Sequence, residues 1–109
     1  MVYSVNVVDA GDASTRGMAM FVWDPGKNQQ NQMKHGIPFE VVARLLWDSA
    51  ICVDSHIVMG EPRELWIGLA DGWLLAFVIT ANSDPMRLIS VRRATRVEER
   101  LWTQTRTKR

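Results

Sequence analysis

Sulfur chemistry is almost missing from this chain. Cys52 is the only cysteine among 109 residues, so a disulfide framework and a thiolate metal cluster are both excluded. Long hydrophobic runs are missing too. The longest, Trp73 to Thr80, falls far short of the roughly 20 residues that cross a bilayer. Met1 to Val8 has neither the basic start nor the apolar stretch of a signal peptide. These features together predict a cytoplasmic protein that does not engage a membrane. The two histidines, His35 and His56, stand too far apart for a His-x-x-x-His pair, and there is no glycine-rich phosphate loop or nucleophile elbow. Neither a metal nor a cofactor is expected.

What is present suits one domain with a modest core: 47% of the residues are hydrophobic. Charge is unevenly spread. From Arg87 to Arg109 there are eight Arg/Lys and two Glu, net +6, whereas the preceding residues carry five Arg/Lys and ten Asp/Glu, net −5. A basic C-terminal quarter attracts phosphates or an acidic partner. On charge alone the plainer account is favoured: a solvated helix face with a frayed basic tail.

Residues 1–19 read as an N-terminal extension, because Asp9-Ala-Gly-Asp-Ala-Ser-Thr has turn composition and no clear period. Residues 20–109 read as a single domain whose tail frays from about residue 104, with Met1 as an upstream start. Met20 to Trp23 reads as a short strand. Asp24-Pro25 then signals a helix start and Gly36 its end, giving a polar helix over Pro25 to Lys34 on which Lys27, Asn31 and Lys34 share a face. A second helix, Pro38 to about Trp47, has the stripe Phe39, Val42, Ala43, Leu46. Four strands follow: Ile51 to Ser55, Arg63 to Leu69, Trp73 to Thr80 and Met86 to Arg93. Turns are expected at Gly60-Glu-Pro, Asp71-Gly72 and Asn82-Ser-Asp-Pro85. Trp73 to Ile79 is apolar throughout and should lie centrally in the sheet. Thr95-Arg-Val-Glu98 is a capping box that opens a last helix to about Thr105. The class is α+β: a short strand, two helices, an antiparallel sheet of about four further strands and a C-terminal helix.

The remaining chemistry is a set of Arg, Lys and His, which suits phosphodiester cleavage in RNA. The 2′-hydroxyl attacks the adjacent phosphorus once a base takes its proton, cations stabilise the added negative charge, and an acid protonates the departing 5′-oxygen. RNA carries its own nucleophile, so the reaction proceeds without a metal. Lys34 and His35 end the polar helix, and Arg63 begins a strand. Arg87 and Arg92 differ in parity on the last strand, so both serve one site only if a bulge intervenes; Arg93 shares parity with Arg87. Each has a plainer account. His35 can interact with the last helix carbonyls, Lys27 and Lys34 can face solvent, Arg63 can pair with Glu61 or Glu64, and Arg92-Arg93 can neutralise nearby carboxylates. Trp66 and Trp73 read as core, Glu98 as a cap, and His56 as a loop residue.

The motifs Trp23-Asp24 with Lys27, Asn31 and Lys34-His35-Gly36; Phe39-Glu40; Gly60-Glu61 with Arg63; Gly68 and Asp71-Gly72; Arg87-Leu-Ile-Ser90; and Arg92-Arg93-Ala94-Thr95 with Glu98 occur in an order that resembles the BrnT family of bacterial type II toxins. The likeness runs from Phe21 to about Trp102. It implies a RelE/ParE-like α+β fold and a ribonuclease that stops translation by cutting RNA. It also implies a BrnA-like ribbon-helix-helix antitoxin that covers the toxin, with DNA reached only through that antitoxin. Carried onto this chain, it implies catalytic roles at Lys34, His35, Arg63 and Arg92, and substrate contacts at Lys27, Asn31, Arg87 and Arg93. Two departures stand out. The family often has tyrosine where this chain has Ile79 and Trp102. Trp102 can keep the packing, but it has no hydroxyl through which to exchange a proton. The rival expectation is therefore a catalytically weak or inactive homologue that acts as an antitoxin-binding co-repressor.

Overall fold

A computed structural model describes residues 4–9, 18–80 and 85–107. Eight of its segments are strands or α-helices: β1 (Ser4–Asp9), β2 (Met18–Trp23), α1 (Pro25–His35), β3 (Ile51–Val58), β4 (Glu61–Ala70), β5 (Trp73–Thr80), β6 (Met86–Arg93) and α2 (Arg96–Thr107). The strands form one sheet in the order β1-β2-β6-β5-β4-β3. Consecutive strands β3 to β6 pair antiparallel, while β2 runs parallel to β6, so the sheet is mixed.

The α+β class stands, with several boundaries redrawn. Part of the stretch read as an extension, Ser4–Asp9, is a strand paired antiparallel with β2. The turn-like composition after Asp9 and the turn at residues 82–85 fall largely outside the described residues. The second expected helix is instead two 3-10 turns, Phe39–Arg44 and Trp47–Ser49. Leu45 bridges Ala70, and the Leu46 amide donates to the Leu69 carbonyl at 2.9 Å. The end of β4 thus captures the chain in extended form and stops an α-helix from continuing. Burial follows this change: Phe39, Val42 and Leu45 are buried at a period of three, while Leu46, expected in the core, is exposed.

The β3–β4 and β4–β5 hairpins close on two-residue turns with positive φ at each position, Met59-Gly60 and Asp71-Gly72. The first sits one residue earlier than expected, so Glu61 and Pro62 belong to β4. β5 lies between β4 and β6, as its apolar run requires. Its Leu75, Phe77 and Ile79 meet Phe21, Trp23, Phe39, Val42, Leu45, Leu88 and Val91 in the core on the face of the sheet covered by the 3-10 turns. Aromatic stacking adds order there: Phe21 lies 5.8 Å from Trp47 and Trp23 meets Phe39 edge-on at 5.9 Å. The capping box forms in both directions, with the Glu98 amide donating to Thr95 Oγ1 (3.1 Å) and the Thr95 amide to Glu98 Oε1 (2.8 Å). α2 continues to Thr107, past the expected fraying point.

Candidate functional site

The last strand decides which arginines share a surface. Val78 pairs with Ser90, but Ile79 pairs with Leu88, so Ile89 is an extra residue in β6. This bulge shifts the alternation of β6 by one residue. Thr80 and Val78 therefore share a face with Arg87, Ser90 and Arg92, and the β4–β5 register adds Arg63 opposite Thr80. The parity conflict between Arg87 and Arg92 disappears. Arg93 moves the other way: paired with Leu75, it lies on the core face and no longer shares a face with Arg87.

On that shared face Glu61 collects two arginines. Arg87 Nη2 donates to both carboxylate oxygens at 2.7 Å, and Arg63 Nε donates to Oε1 at 3.2 Å. These donors, Arg87 foremost, hold the Glu61 carboxyl below the usual carboxylate range. Arg92 makes a two-point fork with Glu98, at 2.7 and 2.9 Å. The Arg92 hydrogen bonds, helped by the Thr95 amide, pull the Glu98 carboxyl down to about 2. Glu98 is thus the cap the sequence indicates and also the partner of Arg92.

This pair has a pH signature. The folded-state value of Glu98 lies below its ordinary 4.5. Its stabilisation is therefore complete above the ordinary value and fades as pH falls toward about 2. Glu98→Gln keeps the capping geometry but removes the charge. Between about pH 5 and about pH 2 its melting temperature is expected to fall less steeply than that of the wild type. Parallel melting curves would remove the assignment.

A second group of candidates lies along α1. Asp24 caps the helix by accepting from the Gly26 amide at 2.9 Å, and Gly36 ends it at φ 74°. Lys27, Lys34 and His35 are exposed and line a cleft of about 200 Å³ with Gln30, Asn31, Ile89 and Ser90. Among the described residues, none of these three faces a carboxylate within ion-pair distance. Arg63, Arg87 and Arg92 of the sheet each pair with a carboxylate, whereas among the described residues Lys27 and Lys34 of α1 do not.

Asn31 differs from its neighbours on this face. It is 7% exposed. Its Nδ2 donates to the Ile37 and Val91 carbonyls at 2.9 and 2.8 Å, and its Oδ1 accepts from the Val91 amide at 3.2 Å. The side chain behaves as a short strand on the edge of β6 and fixes α1 against it. Asn31 thus positions α1 and also lines the cleft.

The eight candidates therefore fall into four places. Lys27, Asn31, Lys34 and His35 lie together at the cleft. Arg63 and Arg87 surround Glu61, Arg92 anchors the start of α2, and Arg93 lies over Trp73 with its Cζ 3.8 Å from the ring centroid. Trp73, read as core, is 49% exposed. His56 lies in β3 rather than a loop, with Nδ1 3.9 Å from Asp54. Sequence reasoning missed Ser90 as a cleft residue and Glu61 as the hub of two arginines; the hub lies in the Gly60-Glu61-x-Arg63 motif, but its second arginine is 26 residues away. Ile79, at 2% exposure, is in the core on the face opposite Arg63 and Arg87. Trp102 docks α2 by donating from Nε1 to the Ser49 carbonyl at 2.7 Å.

In comparison with protein families, the model of a family described as "Ribonuclease toxin, BrnT, of type II toxin-antitoxin system" matches residues 23–98. No curated protein matches the chain.

Proposed function

Since this chain belongs to the BrnT family of ribonuclease toxins of type II toxin–antitoxin systems, we propose that it cuts RNA in the cleft between α1 and β6, through attack by the RNA 2′-hydroxyl and without a metal. The observation that carries this reading is Lys27, Lys34 and His35 gathered at one cleft, with no carboxylate within ion-pair distance of them among the described residues. A phosphodiester brings the negative charge that the cleft lacks. As the 2′-oxygen bonds to phosphorus, charge builds on the phosphoryl oxygens, and the ammonium groups of Lys27 and Lys34 stabilise it. The bond to the 5′-oxygen breaks, leaving a 2′,3′-cyclic phosphate and a 5′-hydroxyl. One proton leaves the 2′-hydroxyl and one reaches the 5′-oxygen, and His35 carries one of these two transfers.

Arg87 and Arg92 extend the cleft along the face that also presents Ser90. Arg92 meets Glu98 in the two-nitrogen fork that phosphate also accepts, whereas Arg87 reaches Glu61 through Nη2 alone. RNA phosphates compete with Glu61 and Glu98 for these two arginines. A RelE/ParE-like fold belongs to this reading, as do inhibition of translation, a cytoplasmic setting and a ribbon-helix-helix antitoxin. The missing tyrosines weigh less against catalysis than the sequence implies, because Ile79 is buried away from the arginine face and Trp102 serves docking.

Induced expression in a bacterial host without the antitoxin tests the reading, with growth and total RNA integrity followed together. Growth arrest with RNA cleavage, relieved by the antitoxin and absent in folded Arg63→Ala and Arg92→Ala variants, is the expected result. Normal growth with soluble, folded wild-type protein would instead favour the antitoxin-binding co-repressor.

A further inference from the structure

A second cavity, of about 230 Å³, opens at the end of α1, where Gly36 follows His35 of the cleft. Gly36, Ile37, Pro38 and Val41 form its apolar wall, and the Trp73–Arg93 stack closes it. Three features set this stack apart. Trp73 is a large aromatic left half exposed beside a cavity, where burial would have been favourable. Arg93 has no carboxylate partner among the described residues, whereas Arg44, Arg63, Arg87 and Arg92 each have one. The Arg93 Cζ sits over the indole, 3.8 Å from its centroid, so cation and ring form one surface beside the cavity.

We propose that this cavity is a nucleobase subsite, holding a base of the RNA next to the phosphate bound in the cleft. The ligand it suits has a flat apolar body and a negative charge close by. A nucleotide has both: its base stacks on aromatic rings or guanidinium planes, and its phosphate answers an unpaired arginine. The position fits as well, because His35 borders the cleft and the next residue, Gly36, borders the cavity. A base held here fixes the adjacent ribose relative to His35, so the cavity sets base preference as well as affinity. The inference rests on the RNA-cleaving reading of the cleft.

The test measures equilibrium binding of two short probes to the full chain. One is a 2′-O-methyl RNA tetranucleotide, which cannot be cleaved because its 2′-oxygens carry no proton. The other is the same backbone without bases. The wild type should bind the base-bearing probe about five- to a hundredfold more tightly. Trp73→Leu, with fold checked by circular dichroism, should bring that ratio close to one while affinity for the abasic probe is retained; Trp73→Phe should keep most of the ratio. Equal binding of both probes by the wild type overturns the subsite but leaves the cleft standing, and so does an unchanged ratio in Trp73→Leu. If neither probe binds, the reading of the cleft fails along with it. An unchanged ratio together with loss of antitoxin binding would give the cavity to a protein partner and overturn the subsite.

Discussion

RNA cleavage by a His35→Ala variant is expected to fall by about 10²- to 10⁴-fold, the usual worth of a positioned proton carrier. His35 is the last residue of α1, it is exposed, and it borders the cleft beside Lys34. Its removal empties no core and breaks no described hydrogen bond, so thermal stability should stay within about 0.5 kcal/mol of the wild type. This split between activity and stability separates a chemical role from the plainer account of a side chain at a helix end. His56→Ala is the control: that residue lies on β3, at the far edge of the sheet from the cleft, and its loss should leave cleavage unchanged. Single-turnover cleavage with melting curves on both variants decides the matter. Equal activity in the two would remove His35 from the reaction.

The largest effect on stability is expected at Asn31. Asn31→Ala leaves the Val91 amide and the Val91 and Ile37 carbonyls without the partners they have in the folded chain. Each such buried group costs about 1–3 kcal/mol, and these losses are not additive. A total near 3 kcal/mol is expected, which lowers the melting temperature of a domain this size by roughly 15 °C. Asn31→Asp should be no better, since it keeps the acceptor but replaces the donors with an anion facing two carbonyls. Calorimetry on both variants tests this, and a change below about 0.5 kcal/mol in Asn31→Ala would show that α1 is held by other means. Activity should drop along with stability, because the same contact sets the distance between Lys34 and Ser90.

Local signals were readable in the sequence and distant ones were not. Asp24-Pro25 and Gly36 mark the ends of α1, Asp71-Gly72 marks a hairpin, and Thr95 with Glu98 marks the start of α2; each acts within a few residues and each is found in place. The 3-10 turns depend on Leu69 and Ala70 capturing Leu45 and Leu46 across more than 20 residues. The bulge at Ile89 depends on how β6 lies against β5, and nothing in Arg87-Leu-Ile-Ser-Val-Arg92 marks it. Asn31 reads as one more polar residue on a polar helix, because its partner Val91 is 60 residues away. The helix pattern brought Lys27 and Lys34 together correctly. Sorting the arginines needed the strand register.

The outer strand β3 has a consequence for how this protein behaves in a crowded solution. Its free edge offers backbone donors and acceptors to any extended peptide, whatever the sequence of that peptide. Ile57 and Met59, 70% and 100% exposed, make the edge more adhesive. Three features blunt it: the irregularity between Cys52 and Asp54, which interrupts the flat run, and the polar side chains of Asp54 and His56. A strand from another molecule finds only a short straight stretch there, flanked by groups that hold water. This edge is remote from the cleft, so changes made there to improve handling should leave cleavage untouched.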